Sequence, residues 1–205
     1  MQEKLDHIAA KLYQGDKSAI SSLLDNYYTI YYNYAYRIVG DATISKEIVL
    51  DTFTNIWINR SKLSKVLNFR SYIYTSIRNE AIDYIRKFRK ENIESLADKY
   101  DSIIEIKENP ENLIITKQEL EKINDAINRL PPRCKEILYL VKEEKLKYKE
   151  VAKIMGISER TVENHIATAI YKLATQLGIN IKDKTQTKKI YYILLVFGKN
   201  ITCGM

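Results

Sequence analysis

Side chains suited to catalytic or metal chemistry are few in this sequence. It contains two histidines, His7 and His165, and two cysteines, Cys134 and Cys203, which form no CxxC pair. Such a set cannot supply a recognisable zinc site. No Ser–His–Asp or Cys–His arrangement and no phosphate-binding loop can be assembled from the chain. We therefore predict that the protein is not an enzyme and that it uses no metal and no cofactor.

The charge is distributed in a way that points to nucleic acid. Residues 60–90 hold 9 basic and 2 acidic side chains. Residues 91–121 hold 3 basic and 9 acidic side chains, and residues 122–181 hold 11 basic and 7 acidic ones. Basic blocks attract phosphates, and the attraction depends on salt through counterion release. Two basic segments on either side of an acidic one therefore predict two nucleic-acid-binding regions joined by an acidic linker.

The first basic segment has a polar and aromatic face. Tyr72, Ser76, Asn79 and Asp83 recur at helical spacing between apolar positions, and basic residues crowd the segment's end at positions 86–90. Phosphates and bases of a single strand would suit such a surface. The simpler alternative is a solvated helix end, where the helix dipole favours cations.

The second basic segment predicts a helix-turn-helix. A short apolar-faced helix is followed by Gly156, which adopts a left-handed turn at no steric cost, and then by Ser158, a good N-cap for the next helix. An ordinary helical hairpin would share the apolar stripe of the second helix, but the glycine turn and the serine cap favour the DNA-binding form. The candidate contacts to base edges and phosphates are Ser158, Arg160, Thr161, Asn164, His165 and Thr168.

Helices must position these residues, because the chain has only 6 Gly and 3 Pro and a small β-protein needs more turn residues. Apolar spacing predicts helices throughout, the third capped by Ser45 and the fourth beginning near Ser71. We predict an all-α fold of two small helical domains joined by an acidic flexible linker. The domains are 1–92 and 115–178, the linker is 93–114, and the tail 179–205 has no assigned role.

The location of the protein is also predicted from the pattern of apolar residues. The first residues carry charges throughout and resemble no signal peptide. The longest apolar run, residues 190–197, is shorter than the roughly 20 residues needed to span a bilayer. We predict a cytoplasmic protein with no membrane insertion.

Several segments together resemble bacterial sigma factors of the extracytoplasmic-function (ECF) group. The first part of the chain matches through GDKSAISSLLDNYY, EIVLDTFTNIW and FRSYIYTSIRNEAIDYIRK, and the second through LPPRCKEILYL and the helix-turn-helix. The segments occur in the family's order and spacing, over about residues 5–92 and 115–178. The resemblance implies a protein that binds core RNA polymerase and directs promoter-specific initiation at minus-35 and minus-10 elements.

The resemblance also assigns roles to particular positions. The helix from Ser158 would read the minus-35 element. This chain has Leu50 where family members usually carry a polar Gln. Residues on or beneath the contact with core polymerase would be Glu47, Val49, Leu50, Asp51 and Phe53. Residues near the unwound minus-10 element would be Phe69, Arg70, Tyr72, Ser76, Asn79, Asp83, Arg86 and Lys87.

The partners implied are core RNA polymerase, promoter DNA and an anti-sigma factor or other recruiting protein. Two alternatives remain at this stage. The helix-turn-helix alone also resembles the DNA-binding end of quorum-sensing and response regulators, which carry an N-terminal domain of alternating strands and helices. A sigma-like protein that depends on a recruiting partner is the other.

Overall fold

The computed structural model describes residues 2–91 and 117–180 of the chain. In these two stretches every regular element is a helix, so the predicted all-α fold is confirmed. The α-helices are α1 (Gln2–Tyr13), α2 (Ser18–Val39), α3 (Ala42–Ile58), α4 (Phe69–Glu91), α5 (Lys117–Asn128), α6 (Pro132–Lys142), α7 (Tyr148–Met155) and α8 (Glu159–Gln176), with a 3-10 helix at Arg60–Lys65.

The chain divides into two compact units, Met1–Ser102 and Ile103–Met205. In the first unit α2 packs against α1, α3 and α4. Its buried face carries tyrosines as well as aliphatic residues. Tyr31 lies edge-on to Phe53 of α3 and Tyr74 of α4, with ring centroids 5.9 and 5.0 Å apart, and Tyr34 lies edge-on to Tyr74 at 4.9 Å. These aromatic contacts fix α3 and α4 against the same helix.

The start of α3 differs from the sequence prediction. Asp41 is the N-cap, and its carboxylate accepts a hydrogen bond from the backbone N–H of Ile44 at 2.9 Å. The predicted cap, Ser45, is buried in the first turns of the helix and its hydroxyl donates to the Asp41 carbonyl. Asp and Ser are comparably good caps, so the sequence did not distinguish them. The prediction placed the start of α3 about one helical turn too late.

In the second unit α8 packs against α5, α6 and α7, and α6 also contacts α7. The core is aliphatic, with Ile137, Leu140, Val151, Val162 and Leu173 completely buried. Pro132 occupies the first turn of α6, where its missing N–H costs nothing. Pro131 is the N-cap residue of this helix.

Two sequence predictions concern parts of the chain that lie wholly or mostly outside the described residues. The acidic linker at 93–114 lies outside the described residues, as does all of the 179–205 tail except its first two residues. Within the described stretches, no helix has the length and apolar content needed to cross a membrane.

The aromatic core of the first unit gives a stability prediction. Tyr31 is 1 % exposed and touches both α3 and α4 through its ring. Replacing it with Ala removes a large buried ring and should lower the free energy of unfolding by about 3–5 kcal/mol. Urea unfolding followed by circular dichroism measures this. Tyr13→Ala, at a tyrosine that is half exposed, is the matched control and should change the free energy by less than about 0.5 kcal/mol.

Candidate nucleic-acid interface

A polar cleft of about 320 Å³ opens between α3, the 3-10 helix and α4. Three of the sequence-predicted minus-10 residues, Tyr72, Ser76 and Asn79, line it together. The Ser76 hydroxyl donates a hydrogen bond to the Tyr72 carbonyl oxygen at 3.0 Å. Toward the cleft the hydroxyl oxygen can therefore act only as an acceptor. The cleft therefore combines an aromatic face with amide and hydroxyl groups.

The opposite wall of the cleft was not predicted from sequence. It comes from α3 and the 3-10 helix, and Glu80 of α4 completes the lining. The added residues are Thr52, Asn55, Ile56, Asn59, Lys62 and Glu80. No single-helix pattern reveals this wall, because the cleft exists only when α3 and α4 lie side by side.

Thr52 is a lining residue of the cleft whose hydroxyl is buried. The residue is 3 % exposed, and its hydroxyl oxygen makes no hydrogen bond within the described residues. A buried polar atom without a partner is unfavourable in the folded state.

The exposed end of α4 continues the surface beyond the cleft. Asp83, Arg86 and Lys87 are all exposed. Arg86 Nη1 lies 2.8 Å from Asp83 Oδ1 in an ion pair whose side chains are 64 and 51 % exposed. Pairs this exposed contribute little to stability, so a phosphate can replace the carboxylate at low cost.

Phe69 and Arg70 have a different setting from the other minus-10 candidates. Phe69 is 1 % exposed and stacks on Tyr72, with ring centroids 6.5 Å apart. Arg70 is 8 % exposed, and its guanidinium lies 5.8 Å above the Tyr74 ring. Neither side chain belongs to the lining of the cleft.

The five candidate polymerase-binding residues of α3 separate into two sets. Glu47, Leu50 and Asp51 are exposed, and Leu50 and Asp51 lie three and four residues after Glu47, on the same face of the helix. Val49 and Phe53 are buried in the core of the unit. The structure thus gives a mixed acidic and apolar stripe held in place by two buried neighbours.

The turn of the helix-turn-helix has the predicted chemistry. Gly156 ends α7 with φ +64°, a left-handed conformation in which any residue with a Cβ is strained. Ser158 is the N-cap of α8, and its hydroxyl oxygen accepts from the Thr161 N–H at 3.1 Å. At the start of α7 the Lys147 N–H donates to the Glu150 carboxylate at 2.8 Å. Both helices of the motif are therefore capped by their own residues.

The outer face of α8 presents a line of polar side chains. Arg160, Asn164 and Thr168 are exposed and recur every four residues. Arg160 Nη1 pairs with Glu163 Oε2 at 3.1 Å, and the Thr168 hydroxyl donates to the Asn164 carbonyl at 2.8 Å. Tyr171 is 64 % exposed and continues this line. The face offers a guanidinium, an amide and a phenol.

Two further predicted residues of α8 turn partly inward. Thr161 is half-buried, and its hydroxyl lies 2.8 Å from that of Ser158. His165 is half-buried, with Nδ1 3.4 Å from the sulfur of Cys134 on α6. Burial raises the pKa of the Cys134 thiol, and the positive charge of Lys172 opposes that shift. His165 thus contributes to the α6–α8 interface as well as to the edge of the outer face.

The described residues contain no group of three or more His, Cys, Asp or Glu side chains placed to hold a metal ion. A capped helix-turn-helix of this kind is typical of helical DNA-binding proteins.

Two family models match the chain, one in each unit. The model described as "Sigma-70 region 2" matches residues 23–91, and "Sigma-70, region 4" matches residues 120–173. The two matches together span more than half of the chain. The chain belongs to the sigma-70 family, as the sequence resemblance predicted.

Comparisons with individual proteins agree with this family assignment. The ECF RNA polymerase sigma factor SigW of Bacillus subtilis is 24% identical over 172 residues, which cover 80% of this chain and 91% of SigW. The solved structure of CnrH in complex with the cytosolic domain of CnrY has a TM-score of 0.58 at 20% identity, covering 83% of this chain and 95% of that one. The sigma factor RpoE of Bartonella quintana, solved in complex with the anti-sigma factor NepR, has a TM-score of 0.54 at 19% sequence identity. The match covers 74% of this chain and 91% of that one. The two structures share the fold.

The cap of α8 can be tested apart from any DNA contact. In Ser158→Ala the Thr161 N–H loses its acceptor, and the free energy of unfolding should fall by about 1 kcal/mol. Ser158→Asp keeps an acceptor at the helix N-terminus and should retain the stability of the native protein. Chemical denaturation of the full chain measures both. An Asp variant as unstable as the Ala variant would show that Ser158 does not act as a cap.

Proposed function

We propose that the protein is an ECF-type sigma factor. It binds bacterial core RNA polymerase and directs initiation at promoters with minus-35 and minus-10 elements. The observation that carries this proposal is the pairing of two family regions in the expected order, each with a surface suited to DNA. The catalysis belongs to the polymerase, and the protein acts in the cytoplasm, where both partners are found.

The cleft of the first unit would hold an unpaired base of the minus-10 element. Its volume lies at the lower end of the range for ligand sites, about 300–1,000 Å³. Tyr72 supplies a face for stacking, and Asn79 with the amides of Asn55 and Asn59 supplies donors and acceptors for a base edge. Arg86 and Lys87 would hold the neighbouring phosphates.

The exposed stripe of α3 would dock on the polymerase. Glu47 and Asp51 provide charge and Leu50 provides an apolar contact between them. Because Leu50 replaces the polar residue usual in the family, this contact is more apolar here. We expect Asp51→Ala to weaken core binding, and Leu50→Ala to do so as well.

The outer face of α8 would read the minus-35 element from the major groove. Arg160 can donate to guanine and Asn164 can pair with adenine. Neither unit needs tight binding by itself, because binding of one raises the effective concentration of the other at its own element. A conventional helix-turn-helix regulator would also use this face, but it would have no surface for core polymerase.

An anti-sigma factor is the regulatory partner we propose. The two structural neighbours were solved with partner proteins, the cytosolic domain of CnrY for one and the anti-sigma factor NepR for the other. A protein of this kind would hold the chain away from polymerase until a signal releases it. A recruiting protein is the other form such regulation can take.

Multi-round transcription from fragmented genomic DNA tests the proposal as a whole. Purified bacterial core polymerase is used with and without this protein. Transcripts that start a fixed distance below a shared two-part sequence are expected only when the protein is present. Core binding without new transcripts would point to a missing recruiting partner. Duplex binding without affinity for core would contradict the sigma-factor function and favour a conventional regulator.

The division of labour between the two units gives a paired prediction. Asn79→Ala should impair promoter opening and leave duplex binding intact, because Asn79 lines the cleft for an unpaired base. Asn164→Ala should weaken duplex binding at the upstream element by about 1–3 kcal/mol. Gel shift measures duplex binding, and permanganate footprinting measures promoter opening. Unchanged footprints with Asn79→Ala would contradict the assignment of the cleft.

Docking on polymerase gives a separate prediction. Asp51 is exposed, so Asp51→Ala removes a charge without disturbing the core of the unit. Affinity for core polymerase should fall about tenfold, since a polar contact at an interface is worth about 1.5 kcal/mol. Binding of labelled protein to core in solution measures this. Lys4→Ala, an exposed charge on α1, is the control and should bind like the unaltered protein.

A further inference from the structure

The His165 ring, at the edge of the outer face of α8, is held by a residue of another helix. Its Nδ1 lies 3.4 Å from the sulfur of Cys134 on α6, 31 positions earlier in the chain. Cys134 is a free thiol that is 3% exposed, and His165 is half-buried. The contact therefore joins a buried group to a side chain of the candidate DNA-reading face.

The hydrogen bond between these two side chains has a preferred direction. Burial raises the pKa of the Cys134 thiol, so the sulfur carries its proton at neutral pH. Among the described residues, the hydrogen-bond partner of the sulfur is Nδ1 of His165. A ring nitrogen is a better acceptor than sulfur, and a donor buried without a partner is unfavourable. The S–H group of Cys134 therefore donates to Nδ1.

This direction fixes which nitrogen of the imidazole carries a proton. A neutral imidazole has one N–H donor and one acceptor, and the hydrogen bond made by one nitrogen decides the state of the other. Because Nδ1 is the acceptor for Cys134, Nε2 carries the hydrogen. Nε2 is also the ring nitrogen that is left for a partner outside the protein.

The Nε2–H donor belongs to a residue beside the polar line of α8. His165 directly follows Asn164 and lies three positions before Thr168, and both of these are exposed. Duplex DNA presents acceptors to such a face, namely phosphate oxygens and the O6 and N7 atoms of guanine in the major groove. The other tautomer would present an acceptor nitrogen, which none of these atoms can bind.

We infer that Cys134 is a positioning residue for a DNA contact made by His165. Its thiol holds the ring with Nδ1 toward α6 and keeps Nε2 as a hydrogen-bond donor toward an acceptor on the duplex. Cys134 is buried and acts only through His165. This inference rests on the proposed function, because it takes α8 as the helix that reads the promoter.

The position of the proton can be measured without DNA. Nitrogen-15 NMR distinguishes protonated from unprotonated ring nitrogens, and the exposed His7 of α1, the other histidine of the chain, is an internal reference. At about pH 8 an ordinary histidine is neutral, and His165 should show a protonated Nε2 and an unprotonated Nδ1. Cys134→Ala should give a mixture of the two tautomers. Cys134→Ser keeps a donor and should restore the protonated Nε2.

Affinity for duplex DNA should follow the tautomer, measured with the complex of this protein and core polymerase. His165→Ala removes the donor and should weaken binding to a duplex with the minus-35 element about tenfold. Cys134→Ala should weaken binding about threefold, because the ring loses its fixed proton and orientation. It should have no further effect when His165→Ala is already present. An equal loss on unrelated duplex would identify the acceptor as a phosphate, and a loss confined to the element would identify a base edge.

Ile137→Val separates the positioning role from a loss of packing. Ile137 is completely buried on the same helix, so this variant loses part of the core and keeps the thiol. It should unfold at a lower urea concentration and leave both the tautomer and the DNA affinity unchanged.

Two results would overturn the positioning role. One is a His165 tautomer that Cys134→Ala does not change, and the other is a further loss of affinity from Cys134→Ala when His165→Ala is already present. Failure of the unaltered complex to bind promoter duplex would instead overturn the proposed function, and the DNA contact with it, whatever the tautomer of the ring.

Discussion

The edge-on packing of Tyr31 and Tyr34 against Tyr74 is the contact on which the first unit depends. It holds α4 against α2, while Tyr31 holds α3 through Phe53. The cleft is the space left between α3 and α4 once both are fixed in this way. A site made of residues from different helices is only as well defined as the core beneath it. The aromatic cluster therefore sets the geometry that a base would meet.

The second unit reaches a defined surface by a different route. Its core is aliphatic, and the orientation of α8 relative to α7 depends on a turn of three residues. Gly156 supplies the left-handed backbone and Ser158 caps the following helix. Because this constraint is local, a short stretch of sequence is sufficient to predict it.

The difference between local constraints in the second unit and contacts between distant helices in the first explains which features could be predicted from the sequence. The helix-turn-helix, the all-α fold and the exposed residues of α8 follow from local signals such as glycine, a capping serine and helical spacing. The N-cap of α3 was misplaced because Asp41 and Ser45 are both plausible caps and only the structure selects Asp41. The α3 wall of the cleft was missed because Asn55 and Asn59 form no pattern with Tyr72 until the helices pack. Burial of Phe69 and Arg70 was also missed, because both belong to the buried side of α4, which only the packing of that helix against the rest of the unit defines.

The two helices that we propose to face DNA, α4 and α8, share an electrostatic arrangement. Each carries an exposed arginine paired with a carboxylate three positions later or earlier, Arg86 with Asp83 and Arg160 with Glu163. Such pairs contribute little to folding and are displaced at low cost, but the negative charge stays close by and reduces the attraction of each arginine for a phosphate. A protein that joins two weakened contacts binds well only where both elements occur at the right spacing. Specificity of this kind comes from the joint requirement, and it needs neither unit to bind tightly alone.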